Sequence, residues 1–197
     1  MTQRAIVLRL ALLDVTPRVW RRLRVPEAIA LDQLHAVFQR AMGWSDSHEH
    51  EFVIHGTRYD SRPSPGREAG VRVLPERGRP LWGALGASRS FDYLYDFGDG
   101  WQHLVVVESI DLLAEGEEAG VQLIAGGGAC PPEDVGGPPG YAGFLAAIAS
   151  PAHPEHRAML DWVGGAFDPA AFDAAAIARA LADPGEAAGG GGRGQPA

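Results

Sequence analysis

The sequence predicts an α+β fold: a single domain, mainly an antiparallel β-sheet, with helices packed on one face and a helical C-terminal third. Three observations predict it. Apolar residues alternate with polar ones in several segments before residue 112, which is the strand period. Apolar residues recur at helical spacing after Tyr141. Glycine and proline clusters separate the segments, and 197 residues with 46% hydrophobic content can fill one good-sized core.

The start, MTQRAIVLRLALLDV, has arginines ahead of an apolar run, as a signal peptide does. Arg9 interrupts that run, Asp14 ends it, and no small-residue cleavage site follows, so residues 5–13 read as the first strand. A turn at Thr16-Pro17 leads to a second strand over 19–25. There Trp20, Arg22 and Arg24 share one face, and Val19, Arg21, Leu23 and Val25 share the other. Leu31, Leu34, Phe38 and Met42 mark a helix that Gly43 stops. His35 lies on or beside its apolar face, and Ala30 offers no capping oxygen, so the first turn is expected to fray. HEHEFVIHG, 48–56, is the next strand, with His48, His50, Phe52 and Ile54 on one face. Residues 61–80 are rich in proline, glycine and arginine and read as a loop.

FDYLYDFGDGWQHLVVVE, 91–108, reads as a β-hairpin. Asp99-Gly100 suits a two-residue type I′ turn. That register sets Asp96 opposite His103, with Leu94 opposite Val105. Glu115, Glu117 and Glu118 mark an acidic loop, and GGGACPPEDVGGPPG, 126–140, reads as extended coil. Helices follow near Tyr141–Ala149, from Pro154 through Trp162, and from an Asp168-Pro169 start through Leu181. Order is expected over 1–183, and the Gly-rich tail 184–197 is expected to be disordered.

The net charge of −8 argues against nonspecific coating of nucleic acid, which needs a basic face. All 17 basic residues are arginine, and seven fall within residues 1–40. Arg21, Arg22 and Arg24 can be the solvated face of an edge strand, or a docking point for a nucleic-acid or protein partner. No apolar run reaches the ~18 residues of a membrane span. The single cysteine, Cys130, excludes an internal disulfide and suits a cytoplasmic location.

Three constellations can carry chemistry. His48-x-His50 places two imidazoles on one side of a strand, where they can share a divalent metal ion or bond nearby carboxylates such as Asp46. Asp96 with His103, and Asp99 in the turn, can form the orienting half of an acid–base or metal site, or a structural cross-strand pair. Glu133 and Asp134 sit on a proline-stiffened loop that can bind a cation, pair with arginines or tie itself down. Asp96, His103, Glu133 and Asp134 are therefore the candidate catalytic groups. Trp44, Trp101 and Tyr141 are candidates for the walls.

The pieces PRVWRRLRVP (17–26), LDQLHAVFQRAMGW (31–44), DSHEHEF (46–52), FDYLYDFGDGWQH (91–103), ACPPEDVGGPPGY (129–141) and HPEHRAMLDWVGGAFDPAAFD (153–173) carry a resemblance. In this order the chain resembles the plasmid pRiA4b open-reading-frame-three-like family, which is also a passenger of bacterial insertion sequences, often labelled TnpR-like. Ala30 departs from the usual hydroxyl cap. The resemblance implies one compact α+β domain and no established activity. The TnpR label implies a resolvase, yet the motifs supply acids and histidines rather than a nucleophilic serine set among arginines. The family's recurring polar positions fall on His48, His50, Asp96, Asp99, His103, Glu133 and Asp134. The leading expectation is an accessory or binding domain of mobile elements with one polar pocket. The alternatives are a metal-dependent hydrolase acting on phosphodiesters and a purely structural cluster.

Overall fold

The computed structural model describes residues 3–62, 71–114, 116–117 and 119–183. Glu115, Glu118 and the tail 184–197 lie outside the described residues. The elements are β1 (Arg4–Leu12), β2 (Trp20–Pro26), α1 (Leu31–Met42), β3 (His50–Ile54), β4 (Thr57–Asp60), β5 (Arg72–Pro75), α2 (Leu81–Leu85), β6 (Ser90–Tyr95), β7 (Trp101–Leu112), β8 (Gln122–Gly127), α3 (Gly137–Ala149), α4 (His156–Trp162) and α5 (Ala174–Ala182). The strands form one eight-stranded sheet in the order β5-β4-β3-β6-β7-β1-β2-β8, so the fold is α+β. Every pair is antiparallel except β4–β5.

The core follows from the alternation. Ile6, Leu8 and Leu10 of β1, Leu23 and Val25 of β2, and Phe91, Tyr93 and Tyr95 of β6 are buried on one face. Leu31, Leu34 and Phe38 of α1 join the same cluster. Each such side chain contributes about 1.5–3 kcal/mol on burial, which fixes α1 across the sheet. Its first turn does not fray. The Ala30 amide donates to Gln33 Oε1 at 3.2 Å, the Leu31 amide to the Arg79 carbonyl at 2.9 Å, and the Gly78 amide to Asp32 Oδ1 at 3.0 Å. Gly43, at φ 90°, ends the helix as expected.

Several expectations change. Residues 72–75 are not loop: β5 pairs in parallel with β4 at the edge of the sheet. Residues 126–127 belong to β8, which covers β2, so β2 is an interior strand. Arg21 is no docking point. It is 2% exposed, because its guanidinium donates to the carbonyls of Ala41, Trp20, Gly127 and Gly128. Arg22 and Arg24 pair with Glu108 and Glu117. Helix α3 begins at Gly137, since Pro138 and Pro139 fall in its first turn, where no helical amide is needed. Asp168 closes only a turn; Asp173 caps α5 by accepting from the Ala176 amide.

The hairpin register also differs. Tyr95 faces Trp101, Tyr93 faces His103 and Phe91 faces Val105. The loop is therefore five residues, Asp96–Gly100, and Asp96 does not face His103. Asp96 takes φ 55°, and its Oδ1 accepts the amides of Gly98 (2.8 Å) and Asp99 (3.2 Å). This local turn ends the strand early and replaces the two-residue type I′ turn.

Candidate functional site

The α1–β3 connection, the β6–β7 hairpin loop and the β8–α3 loop meet at His48. Its Nε2 lies 3.0 Å from Asp134 Oδ1, 3.6 Å from Asp96 Oδ2 and 3.9 Å from Glu133 Oε2. Two of these carboxylates commit one oxygen to the scaffold. Asp96 Oδ1 holds the hairpin amides. Glu133 Oε1 accepts from the Ser45 amide (2.8 Å), the Ser45 hydroxyl (3.1 Å) and the Tyr95 hydroxyl (3.1 Å). The other oxygen of each faces the imidazole. Asp99 is a strut: its Oδ2 accepts the Gly136 amide at 3.1 Å and joins the two loops. Asp46, Asp96 and Asp134 all have positive φ, a conformation aspartate tolerates better than most residues.

His48 Nε2 is buried yet makes no hydrogen bond. Asp134 is near enough but lies off the N–H direction. Two donors each about 2.1 Å from one ion, at right angles, sit about 3.0 Å apart, which is the His48–Asp134 separation. Single oxygens of Asp96 and Asp134 and the His48 nitrogen lie within 4.8 Å of one another.

A second cluster lies next to it. His35 and His50 stack with ring centroids 3.4 Å apart and planes 2° from parallel. His35 Nε2 is 2.7 Å from Asp46 Oδ1, and its Nδ1 is 2.8 Å from the Tyr93 hydroxyl. The Tyr93 hydroxyl also accepts from Gln39 at 3.0 Å. Asp46 is thus the acceptor for an Nε2–H, and Tyr93 the donor to Nδ1, which describes a neutral ring. Burial and the neighbouring His50 agree, pushing the His35 pKa down to about 4. His50 Nε2 is 2.9 Å from Glu76 Oε2, with both residues buried. His35, His50 and Asp46 come close enough to share an ion, but parallel stacked rings direct their lone pairs side by side rather than to one point.

His48 and His50, paired by sequence spacing, therefore stand in different clusters. His103 stands in neither. It is fully buried, with Nδ1 3.2 Å from the Tyr93 carbonyl, and burial pushes its pKa down to about 4. Trp101 and Tyr141 are buried in the core, and Trp44 packs 4.8 Å from Tyr95 between centroids. Burial raises the Cys130 thiol, which makes it a poor nucleophile. The sequence left Glu76 and Tyr95 out of the site. Glu76 carries no local signal, whereas Tyr95 was legible as an inward-facing residue beside the acidic turn.

The second cluster, and His48 alone of the first, line a groove of 1240 Å³ alongside α1, with Glu76 among its other walls.

The chain is similar in structure to a solved protein of unknown function, MM3350, from Methanosarcina mazei Go1. It aligns at TM-score 0.79 and 31% identity, covering 88% of this chain and 97% of that one. The profile of the family described as plasmid pRiA4b ORF-3-like protein matches residues 4–176, and the chain belongs to that family. A relative, the uncharacterized protein y4hQ of Sinorhizobium fredii (strain NBRC 101917 / NGR234), is 40% identical over 186 residues, 93% of each chain. No helix among the described residues is long and apolar enough to cross a membrane.

Proposed function

We propose that the chain is a binding module that loads a divalent cation on His48, Asp96 and Asp134, with Glu133 as a further ligand. The observation that supports this is the His48 nitrogen, buried and without a hydrogen bond, with three carboxylates from two other segments within 3.9 Å. One imidazole with several carboxylates and no thiolate suits Mn²⁺ or Zn²⁺. The plasmid in the family's description supports an accessory role in mobile elements.

Metal analysis and Mn²⁺ titration of untagged protein test the reading. Stoichiometric binding is expected, with a loss of at least about a hundredfold in His48→Ala and little change in His50→Ala. Equal binding by wild type and His48→Ala would refute it.

A hydrolase is the second reading, favoured by the carboxylates around His48, one of which could act as general base beside a bound ion. Hydrolysis of a phosphodiester, abolished in His48→Ala and Asp134→Asn alike, is its expected signature.

A further inference from the structure

A sheet with one face in water normally turns polar residues outward. The face turned away from α1 departs from this at its centre. Residues in register share a face. One row therefore sets Val53, Asp92, Leu104, Ala11 and Trp20 side by side across β3, β6, β7, β1 and β2. The next row sets Val106 beside Arg9. Leu104 is 38% exposed, and Val53, Ala11, Trp20 and Val106 are half-buried. Trp20 is held in place: a Cβ on Gly127 would come within 2.9 Å of its Nε1, and the Arg9 guanidinium lies 4.9 Å from its ring centroid.

One cation and one anion flank this apolar centre. Arg9 on β1 and Asp92 on β6 are both exposed, and neither has a partner of opposite charge among the described residues. On the same face Arg22 pairs with Glu108. Arg9 and Asp92 stand one strand to either side of β7, because Arg9 is opposite Val106 and Asp92 opposite Leu104. Arg9 leans over Trp20 on β2, the side away from Asp92.

We infer that this face pairs with the same face of a second copy of the chain. An isologous interface must complement itself. An apolar strip with a cation on one side and an anion on the other has that property. A two-fold axis lying in the plane of the face, midway between Arg9 and Asp92, stacks the Leu104–Val106 strips of the two copies. It also brings Arg9 against Asp92 of the partner subunit, and symmetry makes that contact twice. A partner of uniform charge would be repelled by one of the two groups. From Arg58 on β4 to Gly127 on β8 the row crosses seven strands. At about 4.8 Å per strand it is roughly 30 Å wide, enough for the roughly 800 Å² per partner of a standard interface.

Sedimentation equilibrium of the full chain tests this, in EDTA so that no ion bridges two copies. The wild type is expected at twice its 20.9 kDa mass. Leu104→Glu puts a carboxylate at the centre and should weaken association at least about tenfold, with an unchanged circular dichroism spectrum. Arg9→Asp sets acid against acid at both contacts, and Asp92→Arg sets arginine against arginine. Each alone should weaken association at least about tenfold. Mixed together, the two variants should pair with one another, since each carries the charge that the other lacks. Loss of folding cannot produce that recovery. A wild type that stays monomeric at every concentration would overturn the inference and leave the face to a different protein. Dimers indifferent to Leu104→Glu would overturn it by placing the contact elsewhere. So would a mixture no more associated than its two components.

Discussion

His103 shows how a polar side chain can belong to the core rather than to the chemistry. An imidazole titrates near 6.5 in an unfolded chain, and burial lowers it to about 4 in the fold. Between those values the unfolded chain binds the extra proton, so stability falls as pH drops from about 6.5 to about 4 and is flat above. The contribution approaches about 3 kcal/mol. Urea midpoints measured across that window should fall in wild type and fall less steeply in His103→Phe. Sequence reasoning placed His103 on the inward face correctly but gave it the wrong neighbour. Asp99-Gly100 is a strong turn signal, yet the Asp96 carboxylate competes for the same amides and ends β6 one residue before Asp96. A side chain's choice between a turn amide and a cross-strand partner is decided by three-dimensional geometry, which no spacing encodes.

At the scale of elements, strands with a two-residue period were legible: β2, β6 and β7 alternate, and β1 and β3 keep one face buried throughout. Strands β4, β5 and β8 were not, because they are short and carry arginine, glycine or proline, the residues that mark turns elsewhere. The loop between β8 and α3 shows why such residues are needed. A Cβ on Gly140 would run into the Val135 carbonyl, whereas one on Gly143 would meet nothing within 4 Å. Gly140→Ala must therefore open the turn that carries Glu133 and Asp134. Its Mn²⁺ affinity is expected to drop at least about tenfold, with Gly143→Ala as the unaffected control. Unchanged affinity in Gly140→Ala would place the ion elsewhere.

Across the whole molecule, the cluster around His48 joins segments centred on residues 48, 96 and 134, each from a different part of the sheet. An ion held there binds only the folded chain. At a hundred times its dissociation constant it adds about 2.7 kcal/mol, and a chain of this size should then melt about 5–10 °C higher. Thermal unfolding with Mn²⁺ and with EDTA measures the shift, which His48→Ala should lack. The convergence was suggested by acids and histidines recurring on turns. Asp46 was read as a partner of His48 or His50, whereas it bonds His35, and the role of Glu76 was not legible, because it depends on a histidine from a distant strand. The strand order has its own consequence. Strand β1 lies between β2 and β7, with Arg4 opposite Leu112. As the chain leaves the ribosome, its first hairpin has both flanks bare until more than a hundred residues have been made, so the nascent protein must carry unfinished sheet edges through most of its synthesis.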